Sequence, residues 1–326
     1  MATVEVNFLR AQLAERKSRL EAAIALTPSN AGLAGLLREV DSALDRMSQG
    51  TFGICEECHD TIEADRLLTD PLVRYCLDHL TAAGRAALQR DLDLASQLQR
   101  RLLPPPSLSA NGWQTSYHYE PAGPVSGDYC DLILADGNLF FIVGDVSGKG
   151  VAASMLMAQL HALFRSLIGV GLPLCQIIAQ VNCVFCESVL AGLYATLVCG
   201  QAKPTGEIEI HNAGHPPVLV TCCGEVHRVD STGLPLGMFQ DAEFPATRLQ
   251  LDVDDTLLLY TDGLSEASRH DDEYGVDRIA HLMRRRADHS PAELISACLS
   301  EVSAFTGSTP YADDLTLLAI RRAATA

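Results

Sequence analysis

Three consecutive prolines at 104–106 divide this chain more sharply than any other feature. Each fixes φ and lacks a backbone N–H, so no helix runs through them and the triplet forms a stiff linker. Ahead of the prolines, the apolar repeats are helical. Beyond them, apolar segments shorten to strand length, with Gly, Asn or Asp at several junctions. With 326 residues to distribute, the chain is long enough for two or three compact units. The expected division is a helical hairpin at 1–49, a small cysteine-bearing module at 50–81, a helical linker with its proline stop at 82–107, and a main domain at 108–326.

From Val6 to Leu26 apolar residues recur at Leu9, Leu13, Leu20 and Ile24, which makes one amphipathic helix. TPSN at 27–30 interrupts it with turn formers. A second helical pattern follows through Leu33, Leu36, Leu37, Val40, Leu44 and Met47, and the short connection favours antiparallel packing of the two. Just before the prolines, Leu88, Leu92, Ala95, Leu98 and Leu102 form another apolar stripe, suited to packing against a neighbour, including a second copy in a homodimer.

Charge excludes some partners. The 24 Lys and Arg face 41 Asp and Glu, a net of −17, so binding to a nucleic-acid backbone is not expected. The imbalance is concentrated: residues 1–107 hold 12 basic and 15 acidic side chains, and residues 108–326 hold 12 and 26. No run of eighteen apolar residues is present and the N-terminus has no secretory apolar core, so no membrane association is expected and the expected compartment is the cytoplasm. The 11 cysteines, among them the adjacent Cys222 and Cys223, are too irregular for a disulfide framework.

Only Cys55, Cys58 and Cys76 fall into a chemically meaningful pattern. Cys55-x2-Cys58, seventeen residues, then Cys76-x2-His79 places three sulfurs and one imidazole as two knuckles around one tetrahedral Zn²⁺. The intervening segment is too poor in apolar residues for a core of its own, so the metal would supply much of the folding energy. His59 also follows a ligand, but His79 has the paired-knuckle spacing. The stretch GTFGICEECHDTIEADRLLTDPLVRYCLDH resembles the zinc finger of the DksA/TraR family, with His79 at the usual fourth-cysteine position and His59 where a glycine is common. That resemblance implies a zinc-supported fold and names RNA polymerase as a partner. The TPSN turn lacks the acidic tip associated with the family.

In the main domain, segments 113–119, 128–134, 138–144, 193–199, 207–211, 217–221, 256–260 and 316–320 read as strands, with two central helices from ASMLMAQLHALFRSLI and from 174–190. Strands on both sides of a helical pair indicate a layered α/β sandwich with substantial antiparallel sheet. Met155, Met157, Phe164 and Leu167 read as core or helix-interface groups.

Four segments set Asp at a turn or strand end: VSGDYCD, VGDVSGKG, YTDGLSEA and YADDLTLL. Each alone is an ordinary turn; together they bring acids from distant parts of one domain, which suits a hard divalent cation. Strand parity sends Asp128 and Asp131 to opposite faces, so one is expected to ligate, and Asp128 follows the Ser-Gly turn. By the same parity only one of Asp313 and Asp314 enters the site. GDVSGKG lacks the spacing of a nucleotide P-loop. Gly214 and two prolines keep His211 and His215 of HNAGHPP off a common helix, so both read as turn or packing residues, with Asn212 anchoring the turn. Lys149 reads as a charge supporting the site or as a neutraliser of substrate phosphate.

QLQRRLLP, SGDYCD, FFIVGDVSGKG, ATLV, HNAGHPP, STGLPLG, LLLYTDGLSEA and DDLTLL, in that order across residues 108–322, resemble the PPM or PP2C-like serine/threonine phosphatases of the bacterial RsbU/SpoIIE branch. The resemblance implies two antiparallel β-sheets flanked by helices. It makes Asp128, Asp145, Asp262 and Asp313 the side-chain ligands of two Mn²⁺ or Mg²⁺ ions, with the Val146 carbonyl completing part of the shell and Asp145 bridging. It implies direct attack of a metal-activated water on a phosphorylated regulatory protein such as an anti-anti-sigma factor. Ser147 stands where animal members carry a histidine considered as the leaving-group acid. The competing readings are a catalytically weak scaffold that binds transcription machinery through the finger, and a small-molecule phosphomonoesterase.

Overall fold

A computed structural model of the protein describes residues 3–26, 30–79, 82–190, 192–222, 224–270, 272–307 and 312–324. The first three residues of the TPSN turn and Cys223 lie outside the described residues. The chain forms two compact units, Met1–Asp91 and Leu92–Ala326.

In the first unit, helices α1 (Thr3–Leu26) and α2 (Ala31–Gln49) bury Leu9, Leu13 and Leu20 against Val40, Ala43 and Met47. Asn30 caps α2 by accepting the N–H groups of Gly32 and Leu33 at 3.1 and 3.3 Å. Gly50 ends it at φ 74°, a left-handed conformation that glycine adopts without a Cβ penalty. Beyond it come a short helix α3 (Ala64–Thr69) and a single 3-10 turn, Leu77–His79. Arg46 joins hairpin to finger: buried, it donates to the carbonyls of Val73 and Leu72 at 3.2 and 3.4 Å.

Helix α4 (Ala82–Leu102) is continuous across the division between the units. Its stripe is less covered than the sequence suggests. Leu88 and Leu98 are exposed, as is Leu94, whereas the polar Gln99 is buried.

The second unit is a sandwich of two antiparallel sheets. One has the order β1-β2-β13-β10-β7-β8, from Ser107–Ala110, Trp113–Glu120, Leu315–Arg322, Thr256–Tyr260, Val218–Cys222 and Glu225–Val229. The other has the order β3-β4-β5-β6-β9, from Asp128–Ala135, Asn138–Val146, Ala195–Ala202, Glu207–Ala213 and Ala246–Gln250. Alternation along the strands divides the core. Phe141, Val143 and Val198 point inward to meet Trp113, Leu257, Leu259, Leu318 and Ile320 between the sheets. Phe140 and Ile142 point outward, under α5 (Val151–Ile168) and α6 (Leu174–Ser188). On the opposite side Leu258, Tyr260, Leu317 and Ala319 pack beneath α8 (Gly275–Arg285) and α9 (Pro291–Thr306). A short helix α7 (Asp262–Ser265) and a hairpin of two-residue strands, β11 (Ser268–Arg269) and β12 (Asp272–Glu273), connect β10 to α8. The fold is thus the helix-flanked pair of antiparallel sheets expected from the sequence.

Several elements differ from that expectation. The edge strands β8 and β9 were not anticipated: β9 buries no side chain fully and β8 only Val229, so both read as polar loop. Helices α8 and α9 were also unanticipated, although Ser290, Pro291 and Glu293 form a capping box with Pro at the first turn. Met155 is 69% exposed and belongs to no core, unlike Met157 and Phe164. Among the described helices, α5 alone is long and apolar enough to cross a membrane by length and composition. Its residues Ala153, Met157, Leu160, Phe164 and Ile168 are buried against the second sheet.

The β4–β5 register sets Phe141 opposite Gly200, where a Cβ would lie 2.0 Å from the ring. Phe141→Ala should cost about 3–5 kcal/mol of stability, and Gly200→Ala about 1–3 kcal/mol by overpacking. Because the added methyl fits the space vacated by the ring, the double variant should lose less than the sum. Chemical denaturation of the three variants measures this coupling.

Candidate active site and metal centre

The β3–β4 register places Asp128 directly opposite Asp145 at one end of the second sheet. In the first sheet β10 and β13 pair with Tyr260 opposite Leu317, so the chain leaving β10 and the chain entering β13 lie together. Asp262 opens α7 from the former, and Asp313 and Asp314 precede β13 in the latter. The four strand ends thus deliver acids from both sheets to one end of the sandwich.

Close backbone approach makes this possible. A Cβ on Gly127 would sit 2.9 Å from the Val146 carbonyl oxygen and 3.4 Å from Asp145 Oδ1. One on Gly263 would sit 2.0 Å from the Asp314 carbonyl oxygen. Both glycines leave room that any side chain would fill.

The acids interact electrostatically. Burial, then Asp262 and Asp313, push the Asp145 carboxyl up to about 7. Burial and then Asp313 raise Asp262. Asp128, fully buried, is raised well above the usual carboxylate range by burial and then by Asp145. Its Oδ2 accepts the hydroxyls of Thr261 at 2.9 Å and Thr316 at 2.5 Å. These two threonines are residues that the sequence reading missed; both stand immediately beside the acid motifs, in YTDG and DDLT.

Geometry separates the two adjacent acids. Asp314 is buried and spans the turn, accepting Ala122 N–H at 2.7 Å on one oxygen and Gly127 N–H at 3.0 Å on the other. Asp313 stays partly exposed and accepts Lys149 Nζ at 3.0 Å, while the same ammonium donates to the Ala312 carbonyl at 2.7 Å. Lys149 therefore tethers the 147–150 turn to the strand-entry turn. Asp131 faces away from these groups, in a bidentate pair with Arg165 at 2.7 and 2.8 Å.

Other singled-out residues are committed elsewhere. The Ser147 hydroxyl accepts Tyr194 N–H at 2.8 Å. His211 is buried with its ring nitrogens 2.6 Å from the Phe244 carbonyl and 3.0 Å from Glu209. His215 lies 2.9 Å from the Thr196 hydroxyl, and burial pushes its imidazole down to about 3, so it is neutral at physiological pH. Asn212 accepts His215 N–H at 2.9 Å and so closes the turn.

In the first unit, one ligand atom each from Cys55, Cys58, Cys76 and His79 lie within 4.8 Å of one another. The Cys58 and Cys76 sulfurs are 3.7 Å apart, matching the edge of a tetrahedron with Zn–S bonds of about 2.3 Å. His79 directs Nδ1 to within 3.2 Å of the Cys76 sulfur. Burial opposes ionisation of Cys55, but backbone N–H groups of Cys58, Cys76 and Glu57 outweigh it and hold the thiol at about 6. The Asp60 N–H favours a Cys58 thiolate, yet burial and the two neighbouring sulfurs push it up to about 11. His59 is not in the cluster; it adopts φ 61°, the left-handed conformation that favours glycine at this point of a knuckle. Among the described residues, no group of three or more acids in the second unit gathers its oxygens as closely as the finger does its ligands. Asp128 and Asp313 are turned to threonine and lysine instead.

The donor sets differ in kind. Hard carboxylates carrying uncompensated negative charge suit an oxygen-seeking divalent cation, whereas three sulfurs and an imidazole suit zinc.

Known proteins agree with this partition. The family described as stage II sporulation protein E (SpoIIE) matches residues 135–323, and the prokaryotic DksA/TraR C4-type zinc finger matches residues 50–78. Protein IcfG of Synechocystis sp. is 28% identical over 263 residues, covering 71% of this chain and 41% of IcfG. Phosphoserine phosphatase RsbP of Bacillus subtilis is 31% identical over 185 residues, covering 55% of this chain and 46% of RsbP. The chain therefore spans less than half the length of these two curated relatives. The SiaA-PP2C domain of Pseudomonas aeruginosa superposes with a TM-score of 0.65 at 20% identity, over 74% of this chain and 98% of that domain. Because the SpoIIE match takes in more than half of the chain and runs to the end of its last strand, the protein belongs to the SpoIIE family, with the fold of a PP2C domain in its second unit and a DksA/TraR-type zinc finger ahead of it.

Proposed function

We propose that the second unit is a metal-dependent protein serine/threonine phosphatase acting on a phosphorylated regulatory protein of the anti-anti-sigma class. The observation that carries this reading is the delivery of Asp128, Asp145, Asp262 and Asp313 to one end of a SpoIIE-family sandwich, where burial and then Asp262 and Asp313 raise Asp145, and burial and then Asp313 raise Asp262. Such acids repel one another unless a divalent cation sits between them. When bound, two Mn²⁺ or Mg²⁺ ions supply Lewis acidity that lowers the pKa of a water and neutralises phosphate charge.

The chain's own residues have distinct tasks in this reading. Asp145, which raises Asp128 and is raised by Asp262, would hold both cations. Asp262 and Asp313 would hold the cations from the first sheet, and Gly127 leaves room beside the Val146 carbonyl, which would join them. Asp128 keeps Oδ2 on the threonine hydroxyls, which orients its other oxygen. Lys149 sets Asp313 and offers a positive charge to an incoming phosphate. RsbP is named a phosphoserine phosphatase, which supports hydrolysis of a serine phosphate ester. For the front unit we assign one structural Zn²⁺ on Cys55, Cys58, Cys76 and His79. Leu94 and Leu98, exposed one turn apart on α4, are the contact of a homodimer.

Chelation should abolish turnover of a phosphorylated anti-anti-sigma protein, Mn²⁺ or Mg²⁺ should restore it, and generic phosphomonoesters should turn over far more slowly. Asp145→Asn should reduce turnover by about a hundredfold or more, the scale of losing a main electrostatic contributor. Near-normal turnover of that variant, or full activity in metal-free protein, would sink the assignment.

Zinc should be separable from this chemistry. Replacing Cys55 and Cys58 together by Ser should remove one equivalent of zinc, read by elemental analysis of protein purified under reducing conditions, while the Mn²⁺-dependent chemistry persists.

Replacing Leu94 and Leu98 by Glu should shift the mass in solution from dimer toward monomer. Light scattering at several concentrations checks this, and an unchanged mass removes α4 as the dimer contact.

A further inference from the structure

Gln99 is the polar residue out of place on α4. Its neighbours at 97, 98, 100 and 101 are exposed, yet Gln99 is only 7% exposed. Burying a carboxamide is costly unless its donors and acceptor are satisfied. Here one residue satisfies it. Nε2 donates to the Ser126 carbonyl at 2.7 Å and Oε1 accepts Ser126 N–H at 3.0 Å. A single side chain thus takes both backbone groups of Ser126, as a paired strand would, just before β3 begins at Asp128.

The clamped residue leads into the acid site. The Ser126 hydroxyl accepts Asp128 N–H at 3.0 Å. Gly127 N–H is held by Asp314 at 3.0 Å, and the Gly127 carbonyl accepts Val146 N–H at 3.3 Å. Three consecutive residues, 126 to 128, are therefore positioned by Gln99, Asp314 and two threonines. Only the first of these lies on a helix that begins in the other unit.

We infer that Gln99 is a positioning residue: through Ser126 it sets Asp128 and the Gly127–Val146 contact, and so couples the placement of α4 to the affinity of the acid site for its cation. The inference rests on the proposed role of these acids as metal ligands. A shift or rotation of α4 withdraws the carboxamide and leaves Ser126 N–H and C=O without partners in a buried place. The segment must then move to recover hydrogen bonds, and Asp128 moves with it.

The test uses the full chain with Gln99→Leu and Gln99→Glu. Leu removes both hydrogen bonds at similar volume. Glu keeps an acceptor for Ser126 N–H but turns an oxygen toward the Ser126 carbonyl. Hydrogen exchange without added metal should show faster exchange at residues 126–130, with β5 amides unchanged as the internal control. Calorimetric titration with Mn²⁺ should show affinity weakened by about tenfold in the Leu variant, the equivalent of one buried hydrogen bond, and by less in the Glu variant. Turnover should fall at limiting Mn²⁺ and recover at saturating Mn²⁺, with KM for the phosphoprotein unchanged. If the Leu variant does not fold, the Glu variant decides by the same measurements. Wild-type Mn²⁺ affinity in a folded variant, or loss of protection spread evenly through the domain, overturns the inference. Failure of the wild-type protein to bind Mn²⁺ at all overturns the phosphatase reading beneath it, and the two failures are distinguished by that control.

Discussion

A carboxylate of one sheet gripped by two hydroxyls of the other is the contact on which the acidic end of this sandwich depends. Elsewhere the sheets meet through apolar side chains such as Phe141, Val198, Leu259 and Leu318, whose attraction is strong but non-directional. At Asp128 the contact becomes directional, because Thr261 and Thr316 both donate to one oxygen. The two threonines are themselves locked: Thr261 N–H donates to the Thr316 carbonyl at 3.0 Å, and Thr316 N–H to the Thr261 hydroxyl at 3.0 Å. The ends of β10 and β13 therefore present one rigid pair of donors to β3, and Asp262 and Asp313 inherit that rigidity by standing next to them.

This arrangement concentrates negative charge where it is expensive. Asp128, Asp145 and Asp262 are each raised first by burial and then by a neighbouring acid. Local compensation is partial. Asp314 is satisfied by two backbone N–H groups, and Asp313 has Lys149. A cation is the remaining neutraliser, which is why electrostatics, more than any single distance, points to a hard metal here. The Asp131–Arg165 pair shows the contrast: an equally buried acid with a bidentate partner is complete in itself and offers nothing to a ligand.

What the sequence made legible follows from where each signal resides. Strands with alternating or continuous apolar runs, such as Asn138–Val146 and Leu315–Arg322, were readable because their side chains meet a core on both faces. Strands β8 and β9 were not, since an edge strand with a polar face carries the same residues as a loop. Parity correctly separated Asp128 from Asp131, but could not choose between Asp313 and Asp314, because that choice depends on Ala122 and Gly127 N–H groups brought in from nearly two hundred residues away. Thr261, Thr316 and Gln99 lie inside the motifs that carry the family resemblance, but neither residue type nor spacing assigns them a role. Each is an ordinary polar residue whose importance lies in a partner that only the tertiary fold supplies.

The front unit applies the same logic with a softer donor set. Arg46 is buried and its charge disfavoured first by that burial, a cost offset by the Glu56 carboxylate at 4.0 Å and by the carbonyls of Leu72 and Val73 that meet the guanidinium. Those carbonyls belong to the loop between the two cysteine knuckles, so the end of the hairpin is stable only while the knuckles hold their shape. Zinc in this reading supports more than the seventeen residues it encloses. Losing it would loosen the partners of a buried charge at the end of α2, which links the folding of the hairpin to the metal through one side chain.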